Sequence, residues 1–264
     1  MRVLSVQPLN RTVDFWPRLL VTAALLGLLT MQGLALGLFV RHAQLALDFP
    51  YTLNYGEGPL LEQAVRLARG ENIYRPDLST PPYTIANYPP LYPLVQAPFV
   101  AAFGPAFWYG RLISVVSIGV AAIFLGLTVQ TITRDDLAGI VAALTLPAIP
   151  YVFSWSALAR IDSLALALAW AGIYAVVRGR DHRWGLIAGV LLLAGAAYTR
   201  QTYLLVAPFA AGAWLWGDKQ RGQAVLLGVY FFALVLSLFA VLTALTHGGV
   251  FFHLITANIN ANDA

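Results

Sequence analysis

The chain has 264 residues, of which 59% are hydrophobic and 11% charged, with 16 Lys and Arg against 12 Asp and Glu. A soluble domain carries about 25% charged residues, so this composition excludes a soluble globular protein and leaves an integral membrane one. With no cysteine the chain has no disulfide, thiol nucleophile or cysteine-bound metal, and its basic residues, set in short clusters between apolar runs, mark topology rather than nucleic-acid binding.

The chain opens with Arg2, Arg11 and Arg18 ahead of an apolar run from Leu19 to Val40. At about 22 residues the run exceeds the roughly 7–15-residue core of a secretory signal, and it can cross a hydrocarbon layer that needs about 20. No small-x-small cleavage site follows, so it reads as an uncleaved first transmembrane helix with a cytoplasmic N-terminus.

From Arg41 to Arg111 lies the one long stretch that is not apolar, with Asp48 and Glu57 near its start. Gly58 to Gly70 reads as a short helix, with Pro59 suited to its first turn and Gly70 to its C-cap. Leu60, Leu61, Ala64, Val65, Leu67 and Ala68 make an apolar stripe opposite Glu62, Arg66 and Arg69, the pattern of a helix lying on a membrane surface. From Ile73 to Pro93 six prolines alternate with Tyr74, Tyr83, Tyr88 and Tyr92. Such a run is extended and belongs outside the hydrocarbon. It reads either as an ordered loop or as a wall for a polar substrate, to which Tyr88 and Tyr92 offer ring faces and hydroxyls.

Leu91–Phe103 is apolar, but its 13 residues reach only about 20 Å as a helix, and Pro93 and Pro98 interrupt it. Charge decides its reading. The basic clusters Arg178–Arg183 and Asp218–Arg221 belong in the cytoplasm. Counting spans back from them puts Arg41 and Arg111 both outside, so the segment between them crosses an even number of times. Leu91–Phe103 is then a second juxtamembrane helix within a wholly extracytoplasmic loop. Seven spans result: Leu19–Val40, Leu112–Ile132, Leu137–Phe153, Leu164–Val177, Gly185–Thr199, Tyr203–Gly217 and Ala224–Thr246. The expected fold is all-α, a polytopic membrane bundle forming one module over residues 1–264. Its tail ends without a closing element, so the chain reads as the front portion of a longer protein.

Charges at membrane depth are rare and usually functional. Arg160 and Asp162 fall where the third span meets the fourth, and Arg200 between the fifth and sixth, all near the outer face and beside the loop that holds Glu57. Taken singly, Arg160 and Asp162 read as a local ion pair, Arg200 as an arginine reaching the headgroups, and Glu57 as an acid favoured at a helix N-terminus. Acid and base converging on one face of an apolar bundle point to a site. No glycine-rich phosphate loop, metal motif or Ser-His-Asp arrangement is present, and the four histidines are isolated in the sequence.

These features resemble the GT-C superfamily of integral-membrane glycosyltransferases, and most nearly its bacterial members akin to protein O-mannosyltransferases and aminoarabinose-lipid A transferases. Gly56-Glu57 with the helix to Gly70 is similar to the family's first acidic motif, Tyr88-Pro-Pro-Leu-Tyr-Pro93 to its Pro-Pro motif, Ala159-Arg-Ile-Asp162 to its second acidic site, and Thr199-Arg-Gln-Thr202 to the place of its basic residue near the lipid phosphate. Many relatives have an acid pair where this chain has Gly56-Glu57, and a basic residue where it has Tyr88. The resemblance implies transfer of a sugar from a polyprenyl-phosphate donor to a hydroxyl on a lipid, glycan or protein at the extracytoplasmic face of a bacterial or archaeal plasma membrane. Glu57, set between Gly56 and Gly58-Pro59 at the mouth of the bundle, is the expected base, with Asp162, its charge held by Arg160, supporting it and Asp48 the next candidate. Arg200 is expected on the phosphate, with Arg160, Gln201, Tyr88 and Tyr92 around the substrate. No cofactor is assigned, a divalent metal is left open, and nucleic acid is no partner. A transporter or lipid flippase, and a non-catalytic scaffold of the same fold, are the competing readings.

Overall fold

The computed structural model describes residues 15–259, and every regular element among them is helical. Arg2 and Arg11, invoked above for orientation, lie outside the described residues. Eleven α-helices follow one another: α1 Phe15–Asp48, α2 Glu57–Ala68, α3 Leu91–Phe103, α4 Trp108–Thr133, α5 Asp136–Ala148, α6 Pro150–Trp155, α7 Ile161–Arg178, α8 Arg183–Thr199, α9 Val206–Gly217, α10 Arg221–Leu245 and α11 Gly249–Leu254.

Among the described residues, four helices are long and apolar enough to cross a membrane: α1, α4, α7 and α10. The other three expected spans fall on shorter or broken helices. Leu137–Phe153 divides into α5 and α6, because Ile149, pushed to an extended ψ of 123° by the proline after it, ends one helix and Pro150 opens the next. Tyr203–Gly217 begins in a 3₁₀ turn over Gln201–Leu204 and gives only the 12-residue α9.

The first helix also runs past its expected end. Arg41 to Leu47 contains no breaker, so α1 continues to Asp48 and stops short of Pro50. The non-apolar stretch between the first two long helices is therefore 49–107, and Arg111 lies inside α4. The two short loop helices form where expected. Gly70 takes φ 74° just past α2, the left-handed position that ends a helix at little cost for glycine.

Packing runs mainly through α4 and α7, which lie along each other, with α8 on the far side of α7 and α5 on α4. One core joins Leu193, Ala211, Leu215, Leu227 and Phe231 from α8, α9 and α10. Another joins Phe39, Ile118, Ala121, Leu146 and Ala167 from α1, α4, α5 and α7. At one end of the bundle α2 packs on α3, burying Ala64, Val100 and Tyr109 together. The extended run between them is fastened to α11 by His253. Its Nδ1 accepts from the Ala86 amide at 3.0 Å, which leaves Nε2 to donate to the Arg75 carbonyl at 2.9 Å.

Close approach of α4 and α5 depends on two facing glycines. A Cβ on Gly126 would meet the Gly139 carbonyl oxygen at 2.8 Å, and one on Gly139 would meet that of Gly126 at 2.9 Å. Gly119, on the same helix, has nothing within 4 Å. Gly126→Leu or Gly139→Leu is expected to cost about 1–3 kcal/mol as overpacking, lowering the thermal midpoint in detergent. Gly119→Leu leaves it within error, and equal effects at all three positions would refute this account of the crossing.

Candidate active site

The site begins at the turn before α2. Asn54 Oδ1 accepts from the Gly56 amide at 3.0 Å and the Asn54 carbonyl from the Glu57 amide at 3.0 Å, which folds Asn54–Glu57 into a tight turn. The turn drives the Glu57 side chain inward, where it has no exposed surface. There Arg111, equally buried, grips it with two parallel bonds of 2.9 Å, Nε to Oε1 and Nη2 to Oε2. Glu57 Oε1 also accepts from the Ala159 amide at 2.8 Å, and Oε2 from the Leu53 amide at 2.7 Å. The Arg111 guanidinium spends its remaining hydrogens on the carbonyls of Ala46, Phe49 and Tyr51. Burial opposes the charge on Glu57, but the Arg111 bonds and those from the Ala159 and Leu53 amides outweigh it, so the carboxyl lies below its ordinary 4.5.

The Ala159 amide carries the network onward. The next residue, Arg160, is tied by its backbone to Ser114 of α4: the amide donates to Oγ at 3.3 Å and the carbonyl accepts from it at 3.1 Å. Its guanidinium reaches back to Asn54 Oδ1 at 3.1 Å and lies over the rings of Trp155 and Tyr55, 5.1 and 5.9 Å from their centroids. It occupies the space that a Cβ on Gly56 would need. Arg160 Nε stands 3.8 Å from Asp162 Oδ2, and Arg200 Nη1 pairs with Asp162 Oδ1. Asp162 sits in the first turn of α7, where the helix dipole favours its charge. Arg111, Glu57, Arg160, Asp162 and Arg200 thus form a line of alternating charge. It begins fully buried and ends with the Asp162 side chain 18% and that of Arg200 34% exposed. Beyond Arg200 an apolar cleft of about 390 Å³ opens between α7 and α9, lined by Leu166, Trp170, Ile173, Tyr203 and Val206.

The other expected residues divide. Gln201 lies beside the line, with Nε2 donating to the Asn87 carbonyl at 3.1 Å. Tyr88 is half-buried, and its carbonyl accepts the Tyr74 hydroxyl at 2.6 Å. Tyr92 has no exposed surface; its hydroxyl donates to the Gly110 carbonyl at 3.0 Å and its ring packs with Leu60 and Ile161, so it presents no face to a substrate in this state. Asp48 is exposed at the end of α1 and makes no ion pair among the described residues. No three His, Asp or Glu side chains gather to hold a metal among those residues. Arg111 and Ser114 were missed from sequence. A lone arginine just inside an apolar span was the available signal for Arg111; Ser114 gave none.

An apolar helical bundle with arginines and carboxylates gathered at one end, beside one short amphipathic helix and one short apolar one, is the build of an integral-membrane glycosyltransferase of the GT-C superfamily. The family model described as dolichyl-phosphate-mannose-protein mannosyltransferase matches residues 87–247, more than half of the chain, and the chain belongs to that family. The matched stretch takes in Arg111, Arg160, Asp162 and Arg200, and begins after Glu57. Comparison with curated proteins and with solved structures gives no match.

Breaking a buried ion pair by removing one partner costs about 3–5 kcal/mol. Glu57→Gln sets an amide NH₂ against the Arg111 donors and is expected to lower the thermal midpoint by that order at pH 7. Because the Glu57 carboxyl is held below 4.5, its contribution is present in full above that pH and is lost as pH falls through the lower folded value. The gap between wild type and Glu57→Gln should therefore be constant from pH 8 to about 5 and close on further acidification. A gap that opens on acidification, or none at pH 7, would contradict this assignment.

Proposed function

We propose that the chain transfers a sugar, mannose or a related hexose or pentose, from a polyprenyl-phosphate donor to an acceptor hydroxyl at the extracytoplasmic membrane face. The observation that carries this reading is the apolar cleft that ends on Arg200 beside Asp162. An isoprenoid chain fits such a cleft, and a guanidinium at its end holds a phosphate by two oxygens.

The acceptor oxygen attacks the anomeric carbon, the bond from that carbon to the phosphate oxygen breaks, and the phosphate leaves with the bonding pair. Arg200 offsets the charge that builds on the leaving oxygen. The acceptor proton needs a base. Glu57, whose two oxygens take bonds from Arg111, Ala159 and Leu53, has no face turned to an acceptor. This supports Asp162 as the base and Glu57 as the anchor that positions it, an exchange of the roles expected from the sequence. Without donor, Arg200 rests on Asp162. Donor phosphate competes for that guanidinium and frees the carboxylate, so base and donor become ready together.

The same reading keeps seven spans and places loop 49–107, with its two short helices, outside. The basic clusters Arg178–Arg183 and Asp218–Arg221, expected in the cytoplasm, support it. Cysteine in place of the exposed Pro105, in a chain with no other cysteine, should react with a membrane-impermeant thiol reagent applied from outside. Reaction only after the membrane is opened would mean that α3 crosses.

General-base removal costs about 10²–10⁴-fold in rate. Asp162→Asn is expected to lose kcat by that factor with donor binding retained. Arg200→Lys keeps part of the activity, and Arg200→Ala loses donor affinity and kcat together. Transfer and donor binding by the full protein, with Glu57→Gln as comparison, are the measurements. Wild-type turnover by Asp162→Asn, beside a Glu57→Gln variant that is stable but inactive, would return the base to Glu57.

A further inference from the structure

At the other end of the bundle the described residues form a second cavity, of about 410 Å³ and polar in character. The 26 residues of α4 and 18 of α7 run from the Glu57–Asp162 site toward it. At 1.5 Å per residue it lies about 27–39 Å from that site. Arg134, Arg178 and Arg180 line it with Trp214, Asp181 and Asp218.

Its charges do not balance. Asp218 accepts from Arg180 Nη1 at 2.7 Å, and Asp181 lies 3.5 Å from Nε of the same guanidinium, which also sits 6.0 Å from the Trp214 ring centroid. One arginine thus holds both carboxylates. Arg134 and Arg178 pair with no carboxylate among the described residues. Each stands at the C-terminal end of a helix, α4 or α7, where the dipole favours a cation. The dipole explains a cation at each helix end, but not a polar hollow shared by two of them. Arg134 also holds φ 58°, a left-handed conformation that is unfavourable for a residue with a Cβ and normally falls to glycine or asparagine.

We propose that this cavity is a phosphate-binding site, in which Arg134 and Arg178 take the oxygens of one phosphate group and Trp214 forms a wall. Its volume falls in the range of small-molecule sites, about 300–1,000 Å³, and holds a phosphate with the group esterified to it. Two unpaired guanidiniums match a phosphate by charge and by fork geometry. The phosphate comes either from a lipid headgroup or from free solution. The site is distinct from the one at Arg200 and does not depend on how that one is read.

The test uses the full chain in phosphatidylcholine nanodiscs, with two probes. One is phosphatidylglycerol, its retention counted by native mass spectrometry; the other is inorganic phosphate, read as a rise in thermal midpoint. Arg134→Asn/Arg178→Gln removes both guanidiniums and suits the left-handed backbone at position 134. Lys219→Asn/Arg221→Gln removes two charges just outside the cavity lining. The first pair removes the charge-assisted hydrogen bonds to phosphate and is expected to weaken at least one probe about tenfold or more, while the second pair binds like wild type. Loss of phosphatidylglycerol alone identifies a lipid headgroup site, and loss of inorganic phosphate a soluble one; either supports the proposal. Equal binding of both probes by wild type and the first pair, or equal loss in the two pairs, overturns it. The single variant Arg178→Gln, at an exposed position, gives the same readout should the double variant not fold.

Discussion

The Glu57–Arg111 pair is the constraint on which the site end of the molecule depends. Taking two charges out of water costs several kcal/mol per ion, and a buried pair is tolerated only when the remaining lone pairs and hydrogens are also met. Here they are met by the backbone. The carboxylate takes amides from the turn before α2 and from the approach to α7, and the guanidinium takes three carbonyls from the end of α1 and the residues after it. The end of α1, the turn before α2, the first turn of α4 and the approach to α7 are thereby drawn to one point.

That anchoring gives the neighbouring charges their positions. With the Ala159 amide fixed on Glu57, Arg160 is held against α4 through Ser114, and Asp162 is set in the first turn of α7. Each charge along the line contacts one of opposite sign, and exposure rises toward Arg200. A rigid inner end and an open outer end suit a site that must hold its carboxylate still while the last arginine changes partner. Gly56 belongs to the same arrangement: it has no side chain, and the Arg160 guanidinium fills the space that one would need.

Much of this was legible from residues alone. The limits of α3 follow from Pro90 and Gly104 around an apolar run, and the end of α2 from Gly70. The meeting of Arg160, Asp162 and Arg200 follows from counting spans between basic clusters. What could not be read was depth. Glu57 is an acid in a polar loop by sequence, and only the turn at Asn54 sends it inward. Tyr92 belongs by sequence to an extended proline-tyrosine run, but opening α3 places its ring in the core. Arg111 marks the edge of a span by charge, yet α4 begins one turn earlier and carries it inside. Each miss is a partner distant in sequence turning an apparently exposed group into a buried one.

The anchor also has a history in the life of the chain. Glu57 lies 54 residues before Arg111 and 102 before Ala159. In a chain made from its N-terminus, the carboxylate emerges first, and its guanidinium and last amide follow only as α4 and α7 are laid down. Until then the acid is hydrated and α1, most of whose surface faces outward, stands without its main polar tether. The carboxylate therefore gains its partners in steps, Arg111 with α4 and the Ala159 amide only with the approach to α7, so its hydrogen bonds are complete only after the chain has been made beyond residue 159.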